Sequence, residues 1–506
     1  MSNAIYKPVI GLEIHAELNT KTKMFCDSLN DPDEKHPNVN VCPICMGHPG
    51  TLPVANAEAV KKVILAGLAL NCRINKETFF ERKNYFYPDL PKGYQISQYQ
   101  KPFCEGGYLN IDGKRIGITR IHLEEDAGRL YHPSTGGVGK DYSLVDYNRA
   151  GVPLMELVTE PDLESVQEVR KFAEELQLIW KYLGVSDANM EKGQMRVEVN
   201  ISLTGKDGKR GTKVEVKNLN SIKFAADAVD YEIKRQSEIL DKGEKIVQET
   251  RGWDENKKST FSQRSKEEAH DYRYFPEPDL PPIKFTDEEI NIIGREMPEL
   301  PSGRRSRFVQ YGLADNQIKI FTVFKHLGDY YERVSSELDS AAMDYHKKNN
   351  LERKSPNEPQ VSGRLHELAA NYMITELPPL LGGLTAELEE DIENIKISPE
   401  AFAELMVLIF HKELSSTGAK FVLKEMAETG LHPEQIMKEK DLGQMSDAGA
   451  LGVAVDETIA GNPQAVEDYK KGKEASLKFL LGMVMRKSKG KANPQMVEEM
   501  LKDKLK

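Results

Sequence analysis

Residues 9–18 alternate without a break. Ile10, Leu12, Ile14, Ala16 and Leu18 occupy one parity, and Glu13, His15 and Glu17 the other. An extended strand sorts these into an apolar face and a face carrying three ionisable groups. Such a strand needs a core on one side and water, a partner or a cation on the other, so it cannot be buried on both faces. Residues 115–122, 195–203 and 213–217 repeat the alternation. Between these strands, residues 56–70, 163–183 and 221–240 carry apolar side chains at helical spacing. Hairpin-linked strands with polar faces, backed by helices, predict an α+β domain with a mixed or antiparallel sheet rather than a βαβ array.

The strand pattern stops where prolines crowd the chain, at 276–282 and 298–301, and helical periodicity follows to the end. The expected parts are an α+β catalytic domain over 1–295, a helical linker domain over 296–395 and a small all-helical tail over 396–506. Ser398-Pro399 reads as an N-cap followed by proline in the first turn, and Asn462-Pro463 and Asn493-Pro494 repeat that grammar. Charge divides unevenly. The net charge is -11, but residues 470–506 hold eleven Lys/Arg against four Asp/Glu, a net of +7 that leaves -18 elsewhere. An acidic body argues against a general polyanion binder. A basic end suits a nucleic acid held at that end, or a solvated lysine-rich surface. Five cysteines, an odd number in a long chain, are no disulfide framework and favour a reducing compartment. Lys7, Glu13, His15 and Glu17 interrupt any signal-type apolar core, and no apolar run approaches a membrane span. The expected location is cytoplasmic.

Five features could carry chemistry. The Glu13, His15, Glu17 face is either a solvated strand face or a divalent-cation site. His122, Glu124, Glu125 and Asp126 precede a glycine turn, and so much negative charge needs either solvent or a cation. Glu156, Glu198 and Glu215 are acids inside apolar strand runs, able to converge on one Mg²⁺ and phosphate site. Cys26 with Cys42-Pro43-Ile44-Cys45 is either a zinc knuckle, with His36, His48, Asp27 or water as fourth ligand, or a set of reduced structural cysteines. Residues 82–98 interleave aromatics, cations and amides in a way that can stack a base and reach phosphates, or simply pack as a loop over the sheet. A phosphate loop is absent: Gly136-Gly137-Val138-Gly139-Lys140 is followed by Asp141 and has the wrong spacing. Dinucleotide-binding, nucleophile-elbow and H-E-x-x-H motifs are also missing.

Several runs, in this order, resemble one known family. They are Ile10-Gly11-Leu12-Glu13-Ile14-His15, residues 83–98 and 122–128, Tyr147-Asn148-Arg149-Ala150-Gly151, and residues 214–221, 271–279 and 482–494. The family is the B subunit of aspartyl/glutamyl-tRNA amidotransferase, and the resemblance spans essentially the whole chain. It implies a cradle-shaped catalytic domain, a helical domain and a tail that docks tRNA. The implied enzyme is a ligase that uses ATP to phosphorylate the side-chain carboxylate of Glu-tRNA(Gln) or Asp-tRNA(Asn), then forms the amide with ammonia. By resemblance Glu13, His15 and Glu125 surround Mg²⁺ and carry catalysis, with Glu124, Glu156, Glu198 and Glu215 as further ligands or their neighbours. Lys83, Lys92, Arg149 and Lys217 would contact phosphates or the tRNA end. Zn²⁺ at Cys26, Cys42 and Cys45 is implied less firmly, because zinc-bearing relatives have a cysteine where this chain has Ser28. The implied partners are a glutaminase A subunit and a small C subunit, in a heterotrimer that channels ammonia. A tRNA-binding scaffold without catalysis, or a ligase acting on a free amino acid, are the rival readings.

Overall fold

A computed structural model of the chain describes residues 6–132, 142–205, 208–265, 271–349, 359–385, 387–442, 448–488, 492 and 494–505. Residues 136–141 and Asn493, considered above, lie outside the described residues. The chain divides into two units, Met1–Pro301 and Ser302–Lys506.

In the first unit the alternating strand β1 (Lys7–Glu17) lies at the middle of a nine-stranded sheet. One flank runs outward through β11 (Met195–Thr204), β12 (Val214–Leu219), β13 (Glu249–Asp254) and β14 (Ser259–Ser265). The other runs through β10 (Pro153–Thr159), β7 (Lys114–Glu125), β6 (Cys104–Ile111) and β2 (Arg73–Ile74). Every neighbouring pair is antiparallel except β12 and β13, whose parallel pairing needs the crossover helix α3 (Ile222–Asp241). Helices α1 (Ala57–Ala69), α2 (Val166–Tyr182) and α3 share one core with the apolar face, where Ile10, Leu12, Ile14 and Ala16 meet Val63, Phe172, Trp180 and Val229. Asn56, Ser165 and Ser221 cap these helices by accepting hydrogen bonds from first-turn N–H groups. The expected α+β class is the observed one.

Smaller sheets complete the unit. β3 (Glu77–Thr78) pairs with β16 (Ile283–Lys284), β8 (Arg129–Tyr131) with β9 (Leu144–Asp146), and β4 (Glu81–Asn84) lies between β5 (Tyr94–Ser97) and β15 (Phe275–Pro276). Helix α4 (Asp287–Arg295) closes it, with a Thr286/Glu289 capping box, and packs on α1.

The second unit is helical and holds two apolar cores. Helices α5 (Pro301–Gln310), α6 (Asp315–Val323), α7 (Lys325–Lys348), α8 (Pro359–Thr375), α9 (Leu388–Glu393), α10 (Pro399–Phe410), α11 (Ser416–Thr429) and α12 (Pro433–Lys440) contribute to one. Helices α13 (Ala448–Gly461), α14 (Pro463–Lys470), α15 (Glu474–Lys487) and α16 (Pro494–Leu505) enclose the other. Residue 396, where the sequence suggests a new domain, precedes α10. Phe402, Leu405 and Met406 of α10 are buried in the same core as Tyr330 and Val334 of α7, so the apolar division lies later, between Ile436 and Leu451. Ser398 accepts from the Ala401 N–H as expected. Asn462 makes no such cap, because its amide donates back to the Thr458 carbonyl at 2.8 Å. Among the described residues no helix is long and apolar enough to cross a membrane.

Gly107 on β6 makes a close approach that the sheet depends on. A Cβ there would lie 2.2 Å from Cys72 Sγ and 2.6 Å from the Leu70 carbonyl oxygen. Gly107→Ala is therefore expected to destabilise the first unit by about 2 kcal/mol. Both tryptophans, Trp180 and Trp253, belong to this unit. Their fluorescence during urea unfolding reads that unit alone, and an unshifted midpoint would refute the expectation.

Candidate active site

Because β1 is paired antiparallel on both sides, residues opposite one another share a face. Glu13 lies opposite Glu198, and His15 opposite Arg196 and Glu156. Glu156 in turn faces His122, Leu154 faces Glu124, and Asn200 faces Glu215. The polar side of the sheet thus gathers acids from five strands into two groups. His15, Glu124 and Glu156 form one and Glu13, Glu198 and Glu215 the other, each with ligand atoms within 4.8 Å of one another.

Charge in the first group is shared with histidines. His15 Nε2 lies 3.3 Å from Glu156 Oε2, and His122 Nε2 lies 3.4 Å from Glu156 and 3.6 Å from Glu124. Burial opposes protonation of His122, but Glu156 and Glu124 outweigh it and push its pKa up to about 9. His15 is raised for the same reason. Burial also works against ionisation of Glu124 and Glu156. Their histidine partners, together with Lys83 beside Glu124, nonetheless hold both carboxyls below the usual range. Ser97 Oγ on β5 donates to Glu124 Oε2 at 2.8 Å. In the second group Lys217 Nζ sits 3.0 Å from Glu198 and 3.4 Å from Glu215. Burial and the charges of Glu156, Glu198 and Glu215 raise the Glu13 pKa, so one lysine does not compensate this group. Asn200 donates to Glu13 Oε1 at 2.9 Å, while its own Oδ1 is buried without a hydrogen-bond partner.

This donor set fits Mg²⁺. Hard divalent cations take carboxylate and amide oxygens, and the under-compensated acids and the orphaned Asn200 oxygen supply them. Of the positions anticipated from the sequence, Glu13, His15, Glu124, Glu156, Glu198 and Glu215 do converge, with Lys83 and Lys217 beside them. Glu125 does not. Alternation along β7 turns it away from Glu124, and its carboxylate takes Lys92 Nζ at 2.6 Å and the Ile96 N–H at 2.9 Å. Lys92 is thereby committed to Glu125. Arg149 donates to the carbonyls of Ala127 and Gly128 at 2.9 and 2.7 Å, so it shapes that turn. Asn200 and Ser97 were not singled out as site residues, and His122, named with its acidic run, was given no role of its own. His122 was recoverable, since it stands two positions from Glu124 and so on the same side of one strand.

Across β7, Glu125 and Lys92 line a cavity of about 230 Å³ together with Cys26, Cys45, His48 and Tyr94. The sulfurs of Cys26, Cys42 and Cys45 lie within 4.8 Å of one another. Lys23, fully buried, donates to the carbonyls of Asn40 (2.7 Å) and Tyr147 (3.2 Å), with its Nζ 3.9 Å from Cys45 Sγ. A hydrogen bond from Cys26 pulls the Cys45 thiol down to about 4. Three thiols match three of the four ligands of a structural zinc. Ser28 stands next to them, its Oγ 3.9 Å from Cys45 Sγ. His36 is turned to Glu34 instead, at 2.8 Å.

An α+β sheet domain with acids gathered on its polar face, followed by helical segments, defines the class, and comparison with known proteins agrees. Residues 8–291 match the family profile described as GatB/GatE catalytic domain, and residues 361–505 match the one described as GatB domain. The aspartyl/glutamyl-tRNA(Asn/Gln) amidotransferase subunits B of Caldicellulosiruptor saccharolyticus and Carboxydothermus hydrogenoformans are each 47% identical to this chain over 506 residues, covering 99% of both sequences. That of Thermosipho melanesiensis is 46% identical over 499 residues, covering 98% of both. The chain belongs to the GatB family, the B subunits of tRNA-dependent amidotransferases, which are ligases that form carbon–nitrogen bonds.

Two expectations follow. The His122 pKa is raised from 6.5 to about 9 on folding, so its contribution to stability is complete below pH 6.5 and is lost as pH rises through 9. In excess EDTA, urea midpoints from tryptophan fluorescence should therefore fall across that window for wild type and fall less for His122→Gln; parallel curves would refute this. Ser28→Cys should complete a four-thiolate set and raise zinc affinity about tenfold or more, measured by chelator competition. Equal affinities would place Ser28 outside the ligand shell.

Proposed function

We propose that this chain activates the side-chain carboxylate of Glu-tRNA(Gln), Asp-tRNA(Asn) or both with ATP, and completes the amide with ammonia. The observation that carries this reading is the pair of acid groups on one sheet face, three ligands each, with Lys83 and Lys217 beside them. In the first step a carboxylate oxygen of the aminoacyl side chain attacks the γ-phosphorus, ADP leaves, and an acyl phosphate forms. Ammonia then attacks the acyl carbon, phosphate departs, and the nitrogen gives up a proton to a base. Both partners in the first step are anions, and repulsion between them is the main barrier that the protein must lower. Glu13, Glu198 and Glu215, or Glu124 and Glu156 together with His15 once it gives up its proton, would hold Mg²⁺, and the bound ion would supply positive charge to the phosphates. Lys83 and Lys217 orient phosphate oxygens. Glu124 and Glu156, kept ionised by His15 and His122, hold Lys83 in place, and Glu198 and Glu215 hold Lys217. Glu125 and Lys92, on the other side of β7, line the adjoining cavity instead.

A glutaminase A subunit, with a small C subunit, supplies the ammonia through an enclosed path, because bulk water would hydrolyse the acyl phosphate. The tail binds the tRNA, and the cytoplasm is the setting. The relatives' names and the basic residues of the tail support that assignment. The surface is less basic than its last 37 residues imply, since Lys471, Lys473, Lys487 and Lys504 pair with Glu467, Asp468, Glu457 and Asp456.

The test combines this chain with its A and C partners, ATP, Mg²⁺, an ammonium salt and glutamate-charged tRNA, so that glutamine hydrolysis is bypassed. Glu13→Gln is expected to slow amide formation on the order of 10²-fold while tRNA remains bound. Unchanged product would leave the scaffold role standing. A smaller loss is expected for Glu125→Gln, and an equal one would return that residue to the activating centre.

A further inference from the structure

Two histidines meet in the helical unit, where the activating step gives them no task. His346 lies in the last turn of α7, and His411 caps the C-terminus of α10. Their Nε2 atoms stand 3.3 Å apart, with 73° between the ring planes. As a hydrogen bond that separation is long, since about 2.7–3.2 Å is usual. It is the spacing of two ligands on one ion: bonds of about 2.0–2.1 Å at the tetrahedral angle put imidazole nitrogens roughly 3.3–3.4 Å apart.

The surroundings hold the rings in that arrangement. Tyr345 stacks on His411, with ring centroids 4.2 Å apart and 17° between the planes. Tyr345 is itself fixed, because its hydroxyl donates to Glu413 Oε1 at 2.6 Å. That bond requires the chain to turn back just past His411. Lys412 accordingly has φ 59°, the left-handed region that side-chain-bearing residues seldom enter. The N–H groups of Lys412 and Glu413 donate to the carbonyls of Ile409 (3.0 Å) and Leu408 (2.9 Å), which closes the turn. Glycine takes such a position without strain, whereas a lysine here adds strain to the fold. One turn thus sets the direction of His411, the place of Glu413 and the hold on Tyr345.

Both histidines are half-buried, which leaves room for water to complete a coordination shell. Glu413 is close enough for His411 to feel its charge. Tyr345 also lines a groove of about 330 Å³ with Glu337, Asp344 and Glu404, so a cation approaching from that side meets favourable charge. Imidazole nitrogen suits borderline transition metals, whereas Mg²⁺ and Ca²⁺ take oxygen. We propose that His346 and His411 hold a divalent transition-metal ion, Zn²⁺ or a neighbour in the series, that clips the end of α7 to the end of α10. Water fills the remaining positions. Glu413 keeps Tyr345 against His411 and offsets part of the ion's charge. No residue of the acid face or of the thiol cluster takes part.

The experiment titrates the full chain with Zn²⁺ in saturating Mg²⁺ against a chromophoric chelator, alongside His346→Gln and His411→Gln. Wild type should take up one Zn²⁺ more than either variant, or hold it about tenfold or more tighter. Amide hydrogen exchange then locates the ion. Zn²⁺ should slow exchange over residues 343–348 and 409–414 in wild type and leave both variants unchanged there. Equal zinc uptake by all three proteins overturns the proposal, and so does exchange that Zn²⁺ leaves unaltered in both segments. The pair would then be a hydrogen bond and nothing more. Far-UV circular dichroism checks that the variants fold. Should His411→Gln unfold, His346→Gln, in the last turn of its helix, carries the test.

Discussion

The face of β1 is governed by repulsion between carboxylates. In an antiparallel pair, side chains directly opposite stand about 5 Å apart at Cβ, and like charges so placed destabilise the sheet. Glu13 against Glu198 is such a pair, and Glu215 and Glu156 add to it. Everything around the site answers that constraint. Lys217 comes from β12, Lys83 from β4, His122 from β7, Asn200 from β11 and Ser97 from β5. No two of these compensating groups share a strand. The face therefore exists only when the whole sheet and the small sheet beside it are in register, which ties binding competence to complete folding of the first unit.

Strand parity also separates two chemistries that are adjacent in sequence. Glu124 and Glu125 are consecutive, yet one turns to the acid face and the other to a cavity shared with cysteine sulfurs and Lys92. A hard-cation environment and a thiol environment thus lie back to back across β7. The carboxylate on the thiol side is neutralised by a lysine within 2.6 Å, whereas the acids on the other side share histidines and more distant ammonium groups.

Much of this was legible beforehand, and the reason is periodicity. The alternation in β1, the lone acids of β10, β11 and β12, and the helical spacing of α1, α2 and α3 each depend on a few neighbouring residues. Pairing register does not. That His15 meets Glu156, or that Glu13 meets Glu198, is decided by strands far apart in the chain. Parity alone distinguishes Glu124 from Glu125, but only once Glu124 is known to lie on the side of β7 that meets His15. Lys92 and Arg149 have the right chemistry for phosphate. Their partners, Glu125 and the carbonyls of Ala127 and Gly128, come from tertiary contacts that composition does not encode. The tail shows the same limit for charge. A window over 470–506 is strongly basic, but the preceding helices supply Asp456, Glu457, Glu467 and Asp468 as partners.

The central place of β1 has a consequence for how the protein is made. It leaves the ribosome before the strands that flank it: β1 ends at Glu17, and they end at Thr159 and Thr204. At about 5–20 residues per second, the second flank arrives roughly 10–40 s after the first strand emerges. Until β10 follows, the nascent chain displays β1 as an unpaired, half-apolar ribbon carrying Glu13, His15 and Glu17, and one edge stays open until β11 arrives. An open strand edge of this kind invites mispairing, so shielding of that ribbon during translation matters for folding as well as the final stability of the sheet.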